Sequence, residues 1–384
     1  MKELQNILEA FEQSQNSNQR SAIATVVNTI GSVYRRPGAR MLMTEAGQMV
    51  GAISGGCLER DVFERAKPLL QDSKPIVVQY DTTISDDVIW GLGMGCNGSV
   101  QVLIESLNTA SARRQLEFIA DCFQQNRPGA IATVFQVEGD VGVQIADRLF
   151  LKSDGTVANG TANPQLATRL LQDACGVLAE GKTQVISYAL DRGSVEVLIE
   201  VIHPPLPLLI FGAGYDAIPV VQLAKQLGWQ VTVIDHRPTF ATRDRFPQAD
   251  EIIVCSPNDL HANLTLNSPM VAVVMTHHYL HDQTLLRSLL PSPISYVGML
   301  GPKHRTQQLL EDLRIEGLTS TEDQLQRFYY PIGLDLGAET PEEIAFAIVA
   351  EIQAVFSNRS GGMLRDRKAP IHRSNPERIC LPSA

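Results

Sequence analysis

The chain is short of positive charge, of long apolar runs and of clustered cysteine, and each shortage excludes a class of protein. With 32 Lys and Arg against 42 Asp and Glu, the formal net charge of −10 provides no basic face for nucleic-acid phosphates. No apolar run approaches the roughly 18 residues of a membrane span. The N-terminal sequence MKELQN lacks the basic and apolar regions of a signal peptide. We therefore expect a cytoplasmic protein that binds neither nucleic acid nor membrane.

Cysteine is scarce and scattered. The six cysteines show neither metal-finger spacing nor a disulfide framework, so reduced thiols are expected at Cys57, Cys96, Cys122, Cys175, Cys255 and Cys380. Cys122, Cys175 and Cys255 lie in apolar contexts that are typical of small buried residues. Cys57 and Cys96 instead lie beside glycines, which makes them the candidate reactive thiols.

One unit is written twice in the first half of the chain. The sequence AIATV at 22–26 recurs at 130–134, an offset of 108, and GSVQVLIE at 98–105 returns as GSVEVLIE at 193–200, an offset of 95. The second copy is therefore shorter by 13 residues. The missing residues lie between the matched ends, where copy one carries the glycine-rich sequence WGLGMGCNG at 90–98.

The two copies share their apolar frame but not their reactive residues. Copy two has VQ at 143–144 and NPQ at 163–165 in place of the arginines, glycines and thiol of copy one, which are Arg35, Arg36, Gly55, Gly56 and Cys57. Residues that both copies keep are expected to support the fold. Residues that only copy one keeps are expected to form a functional site. Arg40 recurs as Arg148, so we interpret this arginine as part of the scaffold.

The sequence predicts an α/β protein in four segments. Each copy has the pattern of an α+β unit, and the prolines of HPPLP at 203–207 end the duplicated part because they cannot continue a helix or a central strand. Beyond them, short β-branched runs alternate with helical stretches, which predicts a doubly wound parallel sheet. The expected segments are an α+β domain over 1–108, a degenerate copy over 109–203, a Rossmann-like domain over 204–357 and a tail over 358–384.

A dinucleotide fingerprint opens the third segment. The apolar run LLIF at 208–211 is followed by GAGYDA at 212–217 and then by a helical pattern, which matches G-x-G-x-x-A in its usual setting. Asp235 ends the next expected strand, 23 residues after Gly212, where it could accept hydrogen bonds from a ribose diol. The candidate nucleotide-binding residues are Gly212, Gly214, Ala217 and Asp235. The alternative is a Rossmann-shaped domain without its ligand.

Histidines follow a later strand of the same sheet. The strand ends of such a sheet converge on one crevice, so His277 is expected to line it. His278, His281 and Asp282 could complete a metal site with His277. However, the turn at His277 and the N-cap position of Asp282 favour a polar lining, and no metal is expected.

The thiols of copy one lie in sequences that suit anion or metal chemistry. Cys57 follows the glycine turn 55–56 into a helix, whose positive end and free N–H groups favour a thiolate. Cys96 lies in a loop that can wrap an anion, with glycines that include Gly93 and Gly95. Arg35 and Arg36 could bind a phosphate or oxyanion, although a solvated pair fits equally well.

These motifs together resemble those of the XdhC/CoxI family of xanthine dehydrogenase accessory factors. The resemblance spans nearly the whole chain and is carried by the segments 31–39, 54–59, 91–98, 210–214, 275–277, 296–301 and 331–343. It implies a Rossmann-like domain preceded by a duplicated XdhC/CoxI-type unit. Family members usually have histidine just after the second fingerprint glycine, where this chain has Tyr215.

The resemblance also implies a function. It implies a cytoplasmic, homodimeric chaperone that binds molybdenum cofactor (molybdopterin), supports its sulfuration with a cysteine desulfurase and delivers it to a molybdenum hydroxylase client. The family's cysteine loops match Cys57 and Cys96, which become the expected catalytic residues. An NAD(P)-linked oxidoreductase, which would use the Rossmann domain, is the alternative. A pure interaction scaffold would leave the loops of copy one unexplained.

Overall fold

The computed structural model describes residues 1–71, 74–81, 97–368, 371 and 378–380. The chain divides into two compact units at Pro204 and Pro205. The first holds Glu3–Pro204 with Arg373–Ala384, and the second holds Pro205–His372 with Met1–Lys2. Among the described helices, none has the length and apolar character needed to cross a bilayer.

The first unit contains the same arrangement twice. Copy one comprises α1 (Lys2–Asn16), β1 (Ser21–Ser32), β2 (Arg40–Thr44), β3 (Met49–Gly51), α2 (Glu59–Leu69), β4 (Ile76–Asp81) and β5 (Asn97–Ser106). Copy two comprises α3 (Ala110–Gln124), β6 (Gly129–Gly139), β7 (Arg148–Lys152), β8 (Val157–Asn159), α4 (Pro164–Glu180), β9 (Gln184–Leu190) and β10 (Gly193–Ile202). The sheet orders β3-β2-β1-β5-β4 and β8-β7-β6-β10-β9 are the same. Helix α3 precedes the strands of copy two as α1 precedes those of copy one.

Each sheet is apolar on both faces because it is covered on both. In β1, Ala22 and Ala24 pack in the cluster that contains α2, whereas Ile23 packs in a cluster shared with copy two. A register irregularity skips Val27 in β1 and its counterpart Phe135 in β6, and both side chains enter a second shared cluster. The two copies therefore share two apolar clusters.

The second unit is a parallel six-stranded sheet in the order β13-β12-β11-β14-β15-β16. Its strands are β11 (Pro207–Phe211), β12 (Gln230–Asp235), β13 (Glu251–Val254), β14 (Val271–Val274), β15 (Tyr296–Met299) and β16 (Phe328–Tyr329). Its helices are α5 (Ala217–Gln226), α6 (Leu260–Asn263), α7 (Tyr279–Leu289), α8 (Lys303–Ile315), α9 (Glu322–Gln326) and α10 (Pro341–Phe356). The strand order reverses between β11 and β14, which confirms the expected doubly wound fold.

Alternate side chains of the central strand β11 pack on opposite faces. Leu208 and Ile210 join the cluster that contains α5 and α10, and Leu209 and Phe211 join the one that contains α7. Helix α10 begins after Thr340, which forms a capping box with Glu343. The C-terminal stretch contributes β17 (Arg378–Cys380), which pairs with β9 in the first unit and has no clear signal in the sequence.

Candidate functional site

One end of the first sheet collects several reactive residues of copy one. Strand β1 ends at Ser32 opposite Asn97, where β5 begins, so the segment that follows β1 starts beside the first residue of β5. The turn before α2 reaches the same place, because the ring of Tyr34 lies 3.7 to 3.9 Å from where a Cβ of Gly55 would be. Tyr34 is 68% exposed. The sheet thus brings an exposed aromatic ring and the glycine turn of Cys57 together.

A network around Ser54 fixes this turn. The Ser54 hydroxyl oxygen accepts from the backbone N–H groups of Gly56, Cys57 and Leu58, each at 3.1 Å, and the hydroxyl donates to Glu59. The Glu59 carboxylate also accepts from the N–H groups of Ser54 and Leu58. Although burial opposes ionisation, the hydrogen bonds from Ser54 and the backbone hold the pKa of Glu59 below its usual value.

The setting of Cys57 differs from the expected one. Helix α2 begins at Glu59, and its N-cap is Leu58. Cys57 therefore precedes the cap, and its own N–H group, with its neighbours', already donates to Ser54. The expected free N–H groups are taken, because a serine three residues earlier caps the turn. Cys57 is a free, partly buried thiol that packs against the apolar cluster containing α2.

The two arginines have separate environments. Arg35 forms an ion pair with Glu3, and the other Glu3 oxygen accepts from the Ala52 N–H at 2.7 Å, so Arg35 ties its loop to α1. Arg36 is exposed, and its carbonyl accepts from the Ala39 N–H at 3.0 Å. Arg35 therefore has a structural role in addition to any binding role.

Part of the expected site lies outside the described residues. This applies to Cys96, Gly93 and Gly95. The described Gly98 lies just beyond them, where a Cβ would overlap the Ile30 carbonyl. Glycine is therefore required there for β5 to approach β1.

Copy two has the same fold without this chemistry. Strands β9 and β10 are joined by the two residues Asp191 and Arg192, whereas 82–96 join β4 and β5. Asn163 caps α4 by accepting from the Leu166 N–H at 3.0 Å. The same frame thus forms in copy two with a two-residue turn and without a thiol in the turn before its helix.

The glycine loop of the second unit has the geometry of the fingerprint. Gly212 has a φ of +117°, and a Cβ there would overlap the Met275 carbonyl. Ala217 begins α5 and is buried. Tyr215, at the family's histidine position, is 78% exposed, and the Arg245 guanidinium lies 4.9 Å from its ring centroid.

The carboxylate of Asp235 is already saturated. One oxygen accepts from the Ala213 N–H and from Arg237, both at 2.7 Å. The other accepts from the Arg237 N–H at 2.9 Å and its Nε at 3.0 Å, and His236 Nδ1 lies 3.2 Å away. Burial alone would raise the pKa of Asp235, but Arg237 and the backbone donors lower it to about 2. A carboxylate has about four acceptor positions, so a ribose diol would have to displace one of these partners.

A second carboxylate covers the glycine loop. Asp216 lies against Gly214, where a Cβ would overlap its Oδ1, and its Oδ2 lies 2.7 Å from His277 Nε2. Asp216 follows β11 and His277 follows β14, so the pair spans the reversal in strand order where ligands of such sheets bind. His277 is 63% exposed and has a φ of +57°, an unusual conformation for a residue with a Cβ.

These contacts do not favour a dinucleotide in its usual position. The cavity beside Asp235, which is lined by Phe211, Cys255 and His281, holds about 20 Å³. This is room for about one water molecule. The Asp216 carboxylate would also repel a pyrophosphate at the glycine loop. Adenosine could enter only after side chains had moved.

The histidines do not gather as the sequence suggests. His277 turns to Asp216, and His281 instead contacts His278 and His236, with ring centroids 4.0 and 4.5 Å away. Asp282 is not the N-cap: α7 begins at Tyr279 with His278 as its cap, because the His278 ring accepts the N–H of His281. No group of three or more His, Cys, Asp or Glu in the described part of the chain is placed to hold a metal.

Some contacts of the two sites could have been predicted from the sequence and others could not. The partners of Tyr34 and His277 come from distant segments, and only the fold brings them together. Glu59 has a local signal, because a carboxylate five residues after Ser54 can fold back onto the turn that precedes its own helix. The two sites together define a class of protein. It has a duplicated α+β unit whose first copy carries a thiol in a glycine turn, and a Rossmann domain in which the Asp216 carboxylate lies against the glycine loop.

The chain belongs to the XdhC/CoxI family. The family model described as "XdhC Rossmann domain" matches residues 208–352. The model described as "XdhC and CoxI family" matches twice, over 14–81 and 122–189. These two matches begin 108 residues apart, which confirms the duplication seen in the sequence.

Relatives of this family cover most of the chain. It is 35% identical over 334 residues to a probable xanthine dehydrogenase subunit of Bacillus subtilis (strain 168), a match that covers 87% of this chain and 92% of the relative. It is 25% identical over 274 residues to "Uncharacterized protein YqeB" of Escherichia coli (strain K12), with 68% and 49% coverage. A crystal structure of a xanthine dehydrogenase from Bacillus halodurans aligns with a TM-score of 0.73 and 30% identity, over 92% of this chain and 96% of that one.

Proposed function

We propose that this chain is an accessory factor that binds molybdenum cofactor on copy one, supports its sulfuration and passes it to a xanthine dehydrogenase-type molybdenum hydroxylase. Family membership and the names of its relatives support an accessory role beside such an enzyme. A cysteine desulfurase is the proposed sulfur donor, and a homodimer is the proposed assembly.

The observation that carries this proposal is the contrast between the two copies. Both have the same sheet order, but only copy one has a thiol and a glycine turn before its helix and a longer stretch of sequence before the strand that follows. Selection for stability alone would not require that difference, since copy two folds with Asn163 and a two-residue turn. The retained residues of copy one therefore support a binding role.

The described residues fit the proposed cofactor chemically. Cys57 offers a sulfur donor, the kind of ligand that soft metals prefer. A Cβ at Gly56 would meet nothing within 4 Å, so the turn leaves open space beside this thiol. Tyr34 offers an exposed ring on which a planar pterin could stack. When bound, the cofactor supplies the molybdenum centre, while Ser54 and Glu59 hold the turn in place.

The alternative, an NAD(P)-linked oxidoreductase, receives less support. Its two recognition groups, the glycine loop and Asp235, already have partners within the chain. We therefore place the principal ligand on copy one.

Anaerobic titration of the purified protein with molybdopterin tests the proposal. Binding is followed by the fluorescence of the oxidised pterin, and wild type is compared with Cys57→Ala and Cys175→Ala. Cys175 is the matched control because it is an exposed free thiol on α4 of copy two. We expect Cys57→Ala to lose cofactor retention or sulfur transfer, and Cys175→Ala to behave as wild type.

Circular dichroism checks that both variants fold. Equal losses in the two would mean that the effect is structural. If wild type does not bind at tens of micromolar, the proposed function is wrong. Activation of an apo molybdenum hydroxylase by the loaded protein then tests delivery separately from binding.

A further inference from the structure

Three imidazoles meet at the carboxyl edge of the second sheet. His236 follows β12, whereas His278 and His281 lie at the start of α7, and we refer to the three as the histidine cluster. The ring centroids of His236 and His281 are 4.5 Å apart, and those of His278 and His281 are 4.0 Å apart. Neither the glycine loop nor copy one contributes to this group.

The hydrogen bonds of the cluster define where its protons lie. The Nδ1 of His278 accepts from the His281 N–H at 3.3 Å, so the proton of a neutral His278 ring is on Nε2. The Nδ1 of His236 lies 3.2 Å from Oδ1 of Asp235. The Nδ1 of His281 is buried and has no hydrogen-bond partner among the described residues. The cluster therefore presents at least one N–H donor when neutral and more when protonated.

Two carboxylates beside the histidine cluster are each paired with an arginine. From β12, Asp235 is paired with Arg237, and from α7, Asp282 is paired with Arg305 of α8 at 2.6 Å. Cys255, which follows β13, lines the adjoining cavity as an uncharged thiol whose pKa is raised by burial. Because each of these carboxylates is shared with an arginine, the two offset only part of the positive charge that protonation of the imidazoles adds. Burial and then the positive charges of His278 and His236 lower the pKa of His281.

These features suit an anion better than a metal. A metal needs an unprotonated ring nitrogen, but the Nε2 of His278 carries the proton that its backbone contact dictates. Asp235 and Asp282 are already paired with arginines. A dianion would accept from the ring N–H groups and offset the repulsion between protonated rings. Phosphate monoesters have this charge and three acceptor oxygens.

We propose that the histidine cluster is a binding site for a phosphate monoester at the edge of the Rossmann crevice. Two sources share this chemistry: the 2′-phosphate of a nucleotide, and a free or pterin phosphate. The proposal concerns the second unit alone and stands whether or not copy one binds molybdopterin.

Calorimetric titration of the full chain with inorganic phosphate tests the site at constant ionic strength and at pH 6, 7 and 8. Wild type is compared with His236→Gln, His278→Gln and the control His261→Gln, an exposed histidine of the same unit. We expect saturable binding whose affinity, expressed per phosphate dianion, falls as pH rises, because a neutral imidazole attracts an anion less than a protonated one. The cluster variants should bind roughly tenfold more weakly, the loss expected for one charged hydrogen bond. The control should match wild type.

Two further arms separate related explanations. If NADP binds more tightly than NAD, the site recognises the 2′-phosphate of a nucleotide. If the two bind equally, the site recognises a free or pterin phosphate. Cys57→Ala should keep phosphate binding, which separates this site from copy one. Absence of saturable phosphate binding at about 10 mM, or equal affinity in the cluster variants, would overturn the proposal. Thermal melts confirm that each variant is folded.

Discussion

Arg40 and Glu200 lie 160 residues apart in the sequence and form a buried ion pair that joins one copy to the other. Arg40 Nη1 donates to Glu200 Oε2 at 2.9 Å, and the two side chains are 1% and 4% exposed. Their counterparts repeat the contact in reverse, since Arg148 of copy two pairs with Glu105 of copy one, also at 2.9 Å. The two pairs are related as in a symmetric dimer.

This reciprocity explains why copy two keeps its arginine and glutamate while it loses its loops. The arginine that each copy buries is neutralised by a glutamate of the other copy. Loss of either member of a pair would leave its partner buried and charged, with neither water nor a counter-ion to stabilise it. Arg40 also donates to the Gly38 carbonyl at 2.9 Å, and Arg148 donates to the Ala146 carbonyl at 3.3 Å. The degenerate copy is therefore a required half of the core.

Glu200→Gln should strongly destabilise the first unit. Removing one partner of a buried pair costs about 3–5 kcal/mol, because Arg40 stays buried and uncompensated. Urea unfolding would measure the loss. The matched control is Glu64→Gln, whose partner Lys67 is exposed, and whose loss should cost about 0.5 kcal/mol or less. The double variant Arg40→Met with Glu200→Leu should recover most of the stability; a double variant as unstable as Glu200→Gln would mean that the pair does more than neutralise charge.

The fold could largely be predicted from the sequence because its signals are local or repeated. The offset of 108 predicts equivalent strands, and β1 and β6 do occupy equivalent positions in their sheets. The alternation of apolar runs and helices predicts the parallel sheet. The short strands β3 and β16 give no such signal, because three and two residues carry no readable period.

The site could be predicted only in part because its decisive contacts are not local. The spacing from Gly212 to Asp235 locates the fingerprint, but it does not reveal that Arg237 and the Ala213 N–H already bind that carboxylate. His277 meets Asp216 across 61 residues. Such pairings depend on how the strand ends converge in the folded sheet. The sequence alone does not determine which of several polar residues becomes the partner of Asp235 or His277.

Ser54→Ala should loosen the turn that holds Cys57. The change removes the acceptor of three N–H groups and a hydrogen bond to Glu59, so we expect a loss of about 1–2 kcal/mol, as for other helix caps. Hydrogen exchange at Gly56 and Leu58 should rise. Asn163→Ala is the matched control because it removes the cap of α4 in copy two. Both variants should lose similar stability, but only Ser54→Ala should weaken molybdopterin retention. If Asn163→Ala weakened retention and Ser54→Ala did not, the turn that holds Cys57 would not be part of the site.

Asp235 should make the second unit sensitive to acid. Its pKa of about 2 in the folded chain lies below the ordinary value of 3.8, so its stabilisation is present above about pH 4 and is lost as pH falls towards 2. The shift corresponds to about 2 kcal/mol at neutral pH. Asp235→Asn should therefore be less stable than wild type at pH 7, and the difference should shrink on acidification. Asp323→Asn, at an exposed position of the same unit, should follow wild type throughout. A constant difference for Asp235→Asn would mean that packing, and not charge, is responsible.

Asp216→Ala should open the glycine loop to phosphates. The Asp216 carboxylate lies against Gly214 at the start of α5, the position that a pyrophosphate takes in dinucleotide sites. Two like charges about 4 Å apart repel each other by several kcal/mol near a protein surface, so removing one should raise NAD affinity by roughly tenfold or more. Calorimetry of wild type, Asp216→Ala and the charge-matched control Asp323→Ala measures this. The NAD affinity of His277→Gln should lie between those of wild type and Asp216→Ala, because this change releases Asp216 from its partner but leaves the negative charge in place. Phosphate binding by the histidine cluster should not change in any of these variants. If Asp216→Ala still binds no NAD, the saturated carboxylate of Asp235 and the closed cavity beside it would be sufficient to exclude the dinucleotide.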